Sequence, residues 1–119
     1  MNVAVLGASP KEDRYSNMAV KRLLAAGHRV FPIHPVYQYI EGLRVYKNLI
    51  DIDIEIHTMT MYVNSIQSSK LIDEILELAP KRIIFNPGAE NPELQELADE
   101  QGIQTLNACT LVMLSTKQF

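Results

Sequence analysis

The residues best suited to chemistry lie together near the amino end, in Gly7-Ala-Ser-Pro-Lys-Glu-Asp-Arg-Tyr-Ser16. Gly7 follows an apolar run and lets the chain turn sharply and come close to a ligand. Ser9 and Ser16 bring hydroxyl groups, Lys11 brings a point charge, and Arg14 can grip a phosphate through two parallel N–H bonds. If a helix starts after this stretch, its first N–H groups and the positive end of its dipole add to the same site. The chemistry that these groups share is anion binding, phosphate above all. The same spacing also suits a plain strand-to-helix turn with no ligand.

Other chemistries fit the sequence less well. A dinucleotide fingerprint G-x-G-x-x-G would need glycines at 9 and 12, where Ser9 and Glu12 stand. The acid that would bind a ribose after the second strand is replaced by His34. The eight-residue phosphate loop of ATP-binding folds is missing as well, so NAD and ATP are disfavoured. His28, His34 and His57 show no metal-like spacing with Cys109 or with any acidic pair. His28, just past a helix terminator, is expected at the surface. His57 is expected as a core histidine, and His34 is equally suited to ligand contact and to structure. Glu93, Glu96, Asp99 and Glu100 read as a solvated helix face, the tyrosines at 37, 39 and 46 as a cover for the sheet edge, and Met59 and Met61 as core or pocket lining. Cys109 has no neighbouring His or Lys in sequence to lower its pKa, so inert packing is favoured.

The elements that must position these groups follow from periodicity. Asn2–Leu6 reads as a strand, residues 15–26 as a helix closed by Gly27, and Arg29–Ile33 as a second strand stopped by His34-Pro35. Residues 36–53 read as an irregular connection with a short extended piece at 43–45. A strand is expected at 54–61. A helix then starts at Asn64, with Gln67 completing a capping box and Ile72, Ile75, Leu76 and Ala79 as its buried stripe. Strands at 81–85 and 103–107 flank a helix that Asn91 caps, Pro92 opens and Gly102 closes. Strands alternating with helices imply an α/β fold, a doubly wound parallel sheet covered on both faces. Ligands of such sheets bind beyond the carboxyl ends of the strands.

The chain has 119 residues, 47% of them apolar and 21% charged, enough for the core of one domain spanning residues 1–119. No apolar run approaches a membrane span. No basic amino-terminal region suggests a signal peptide. One cysteine suits a reducing compartment, so the cytoplasm is expected. The net charge of −3 hides an asymmetry: residues 1–47 hold seven basic residues against three acids, and residues 48–119 hold four against eleven. An anionic ligand should therefore dock on the first half. That half lacks the aromatic and basic interleaving of a nucleic-acid surface.

The run Val3-Ala-Val-Leu-Gly-Ala-Ser-Pro-Lys with Arg14 and Ser16, then Arg29-Val-Phe-Pro-Ile-His-Pro35, resembles the coenzyme A-binding domain family. That family has a Rossmann-like fold similar to the first domain of the succinyl-CoA synthetase alpha subunit. The likeness continues through Glu41-Gly-Leu-Arg-Val-Tyr46, Asn86-Pro-Gly88, Leu97-Ala98, Gly102-Ile103 and Cys109, nearly the whole chain. The resemblance implies coenzyme A as the ligand. Gly7, Ala8, Ser9, Arg14 and Ser16 would hold the nucleotide phosphates, with Lys11 adding charge in the loop. His34 and Pro35 would border the adenosine, and Thr60, Tyr62, Asn86, Pro87 and Gly88 the far side. Two positions depart from the family, which often has Asn-Pro in place of His34-Pro35 and a Trp- or Gln-containing turn in place of Phe85-Asn86-Pro87.

The implied function is a small coenzyme A or acyl-CoA sensor or carrier that is not an enzyme by itself. The alternatives are a subunit of an acyl-CoA ligase or transferase complex and a nucleotide-sensing scaffold. Ligands other than coenzyme A or acyl-CoA, such as nucleic acid or a membrane, are not expected.

Overall fold

In the computed structural model of residues 1–119, five strands form one parallel sheet in the order β2-β1-β5-β6-β7. They are β1 (Asn2–Leu6), β2 (Arg29–Ile33), β5 (Thr58–Met61), β6 (Arg82–Phe85) and β7 (Gln104–Asn107). A hairpin of β3 (Tyr39–Ile40) and β4 (Leu43–Arg44) stands beside it. The helices are α1 (Tyr15–Ala25), α2 (Ser65–Ser69), α3 (Ile72–Leu78), α4 (Pro92–Glu100) and α5 (Thr110–Ser115). The expected doubly wound α/β fold is the observed one. The strand order reverses between β1 and β5, which is where such a sheet opens a crevice.

Side chains alternate across each strand, so the sheet has two buried faces. Val3, Val5 and Val30 pack with Val20 and Leu23 of α1, and Leu114 of α5 closes over them. Ala4, Leu6, Phe31, Ile33, Met59, Met61, Ile83 and Phe85 pack on the other face with Ile75 of α3 and Leu94 of α4. Each fully buried side chain of this kind contributes roughly 1.5–3 kcal/mol. Met59 and Met61 thus belong to the core rather than to a pocket.

Three expectations about elements need correction. The third main strand begins at Thr58, not at 54. Ile52 and Ile56 are buried in the core from a loop, and that burial gives residues 52–56 their strand-like alternation. The expected single helix after Asn64 is two helices. Asn64 caps the first by accepting from the Gln67 backbone N–H at 2.9 Å, and Ala79 ends the second in the left-handed region at φ +50°. Ala79 is therefore an exposed terminator and not part of the buried stripe. Finally, α5 follows the last strand, where no helix was expected.

Residues 36–53 are irregular apart from the hairpin and a single 3-10 turn at Leu49–Asp51. Glu41 and Gly42 both have positive φ, +50° and +76°, as a two-residue hairpin turn requires. Tyr46 donates its N–H to the Pro32 carbonyl at 2.9 Å and accepts from the His34 N–H at 3.0 Å. The segment thereby covers the outer edge of β2 through the Tyr46 backbone, whereas Tyr39 is exposed and Tyr37 packs on His34, so only one of the three tyrosines takes the expected role.

Candidate anion-binding cleft

At the carboxyl ends of β1, β2 and β5 the surface opens into a cleft of two lobes that share Gly7, His34 and Tyr62. The first lobe, about 380 Å³, is lined by the loop after β1 and the start of α1. The second, about 460 Å³, lies towards the 3-10 turn and the helices that follow β5.

Gly7 makes the sharp turn that the sequence suggested, and packing gives it a second reason to be glycine. Its φ of +87° lies in the left-handed region. A Cβ there would also sit 2.8 Å from Val63 Cγ1 and 2.9 Å from the Tyr62 carbonyl oxygen. Gly7 thus approaches the end of β5 closely while also lining both lobes. It brings the loop after β1 against the loop after β5.

The loop itself is fixed from behind. Gly7 and Ala8 donate their N–H groups to the Ile33 carbonyl, at 3.0 and 3.3 Å. Ser9 Oγ accepts from the Lys11 N–H at 3.1 Å. Asn17, fully buried on α1, donates from Nδ2 to the Ser9 carbonyl at 2.9 Å and to Glu41 Oε2 at 3.0 Å. With the loop held this way, the N–H groups of Ser9, Tyr15 and Ser16 have no partner within the chain. The Ser16 hydroxyl has none either, although the residue is 5% exposed. Lys11 and Arg14 are exposed and enter neither of the two ion pairs, Lys21–Glu12 and Lys81–Glu55. Free N–H groups, a free hydroxyl and two free cations at one helix start make an arrangement that can bind phosphate oxygens.

His34 lies where the lobes meet. Its Nδ1 accepts from the Val36 N–H at 3.1 Å, which places the proton of the neutral ring on Nε2. Its ring packs on Tyr37 with centroids 4.4 Å apart. Burial holds the His34 pKa below its ordinary value, which favours the same neutral form. Tyr62 is half-buried. Burial pushes its phenol up to about 12, while the nearby hydroxyls of Thr60 and Thr110 pull the other way.

The residues singled out from the sequence thus divide. Gly7, Ala8, Ser9, Lys11, Arg14, Ser16, His34 and Tyr62 line the first lobe, and Pro35 lines the second. Thr60 and Asn86 lie beneath the cleft and are not on its wall. Thr60 is 0% exposed, its Oγ1 bonded to Asn86 Nδ2 at 2.7 Å and to Thr110 Oγ1 at 2.8 Å. Asn86, 2% exposed, also donates to the Met61 carbonyl at 2.9 Å and accepts from the Thr110 N–H at 2.8 Å. Every hydrogen-bonding group of the Asn86 amide is engaged in tying β5, β6 and the start of α5 together. Pro87 and Gly88 are exposed at the end of β6, outside both lobes. Cys109, half-buried, begins α5 beside Tyr62.

Sequence reasoning missed Tyr15 and Tyr37 in the first lobe, and Lys47, Asn48, Gln67 and Lys70 in the second. Tyr15 carried a signal, since it stands at the first turn of the helix that opens the site. No group of three or more His, Cys, Asp or Glu in the chain is placed to hold a metal ion. No helix is long and apolar enough to cross a membrane.

Comparison with known proteins agrees with this geometry. Residues 1–115 match the CoA binding domain family. The chain is 28% identical over 100 residues to the uncharacterized protein YneT of Bacillus subtilis, covering 84% of this chain and 74% of YneT. It is 30% identical over 124 residues to an ADP-forming acetate–CoA ligase of Methanocaldococcus jannaschii, covering 97% of this chain but 18% of the ligase. A crystal structure of an uncharacterized protein superposes with a TM-score of 0.93 at 39% identity, covering 99% of this chain and 97% of the other.

Proposed function

Because the chain belongs to the CoA-binding domain family, we propose that its cleft holds coenzyme A or an acyl-CoA, and that it acts as a binding module, a sensor or carrier, with no chemistry of its own. The observation that carries the reading is the first lobe. Three free backbone N–H groups, the Ser16 hydroxyl, Lys11 and Arg14 converge where the strand order reverses. Coenzyme A carries roughly four negative charges on a pyrophosphate and a 3′-phosphate, and so draws on cations more than NAD does.

In this reading the pyrophosphate lies on Ser9, Lys11, Arg14, Tyr15 and Ser16. His34 and Pro35 border the adenosine. Tyr62 borders the far side, with Pro87 and Gly88 beyond it. Gly7 and Ala8 shape the loop, and Thr60 and Asn86 act from beneath by holding Tyr62 and the strand ends in place. The groups facing the lobe are donors and cations suited to binding. A single binding domain of this kind fits a cytoplasmic setting and a small-molecule ligand, not nucleic acid or a membrane.

A second reading rests on the ligase relative, of which this chain spans 18%. There the domain would serve as one subunit of an acyl-CoA ligase or transferase complex.

Native mass spectrometry of the protein purified from its own cells separates these readings. Bound coenzyme A, seen as a diagnostic added mass on the lone chain, supports the module. Recovery only within a larger complex supports the second reading. A lone chain without added mass that fails to take up coenzyme A in solution overturns both.

A further inference from the structure

We infer that Lys47 and Lys70 form a second cation pair which holds the 3′-phosphate of coenzyme A in the second lobe, and so make the site selective for coenzyme A over its 3′-dephospho form. The inference rests on the reading of the cleft as a coenzyme A site and adds to it residues from outside the loop after β1.

Lys47 follows the hairpin, whereas Lys70 ends α2. Two lysines 23 residues apart in sequence thus come to the wall of one lobe. Neither lysine takes part in the chain's two ion pairs, although Glu74 lines the same lobe one turn beyond Lys70. Neither lysine is paired, so an anion in the lobe can gain charge-assisted bonds from both.

The rest of the lobe indicates which anion. Pro35, Leu49, Val63 and Leu71 give it apolar walls that suit a heterocyclic base. Pantetheine, the other arm of the ligand, is uncharged and leaves both lysines unanswered. The nucleoside 3′-phosphate supplies a base for the walls and a dianion for the lysines. Because the lobes share Gly7, His34 and Tyr62, one ligand can occupy both.

The test is calorimetric titration of the wild-type protein, Lys47→Ala, Lys70→Ala and the double variant with coenzyme A and with dephospho-coenzyme A. Both lysines are exposed, so the variants should fold, and thermal unfolding verifies this. The wild type should prefer coenzyme A by about tenfold, as expected of two solvent-facing charge contacts. Each single variant should retain roughly a threefold preference. The double variant should show none, with its affinity for the dephospho form unchanged. Equal wild-type affinity for the two ligands, or a preference that survives in the double variant, overturns the inference and leaves the coenzyme A site standing. A wild type that binds neither ligand defeats the reading of the site, and the inference with it.

Discussion

At the carboxyl ends of the strands, Lys11, Arg14, Lys47 and Lys70 are exposed and free of acidic partners around an open cleft. At the amino ends of the same strands the cation Arg82 is turned inward and only 8% exposed. Its Nε donates to Thr58 Oγ1 at 2.9 Å, and its guanidinium lies 4.6 Å from the centre of the Phe119 ring. Around it His57 Nδ1 meets Thr58 Oγ1 at 2.8 Å, and His28 Nδ1 lies 3.2 Å from the Met1 nitrogen. Both poles are basic, but their surroundings differ. One presents its charges beside unpaired N–H groups and a glycine turn, and the other consumes its charge in packing. Positive charge alone therefore does not mark a site in this fold. The cleft differs in that its charge is left free beside free donors.

The largest expected effect lies beneath the cleft, at the carboxyl end of β6. Asn86→Ala removes three hydrogen bonds, to Thr60, Met61 and Thr110, and strands partners on two elements, β5 and α5. It should cost about 2–4 kcal/mol of stability in urea unfolding. A loss under 1 kcal/mol would mean that the network does not brace the cleft.

The contrast between the poles is sharpened by paired variants. Arg14→Ala should lose about 1.5–3 kcal/mol of coenzyme A binding with its melting temperature unchanged. It should also flatten the salt dependence of binding. Lys117→Ala, away from the cleft, should bind as the wild type does. At the other pole, Arg82→Ala should lose about 1–2 kcal/mol of stability while leaving coenzyme A affinity intact. Loss of binding in the Arg82 variant, or of stability alone in the Arg14 variant, would break the contrast.

The smallest effect is a pH dependence. Burial lowers the pKa of His28, His34 and His57 below 6.5, and at His28 and His57 the charge of Arg82 and the Met1 ammonium group add to it. The unfolded chain therefore takes up protons at these sites before the folded one does, and stability falls as pH drops below that ordinary value. The melting temperature should decline between about pH 7 and pH 5, above the carboxylate range. A flat profile there would show that the histidines titrate alike in both states.

The sequence made the first unit legible because each of its signals is local. An apolar strand, Gly7, a periodic helix and Gly27 follow one another without a long-range partner. The helix α4 was legible for the same reason: Asn91 Oδ1 accepts from the Leu94 N–H at 3.1 Å, as its cap position required. Residues 54–57 misled because loop residues that bury alternate side chains imitate a strand. The six residues of α5, Thr-Leu-Val-Met-Leu-Ser, are too few to show a helical period and contain strand-favouring types. In the cleft, the loop after β1 could be read, because its glycine, hydroxyls and cations are contiguous. Lys47, Asn48, Gln67 and Lys70 could not, because only the tertiary fold brings the 3-10 turn and α2 to the same lobe. Thr60 and Asn86 were placed at the correct end of the sheet, but sequence does not tell a side chain that lines a cleft from one that holds its floor.

The most direct test of the central claim is calorimetric titration with coenzyme A and with NAD under the same salt and pH. Coenzyme A should bind with a Kd on the order of micromolar, about −8 kcal/mol. NAD should bind at least roughly tenfold more weakly, because the second and third glycines and the ribose-binding acid of its fingerprint are missing. Equal affinities, or a preference for NAD, would contradict the account.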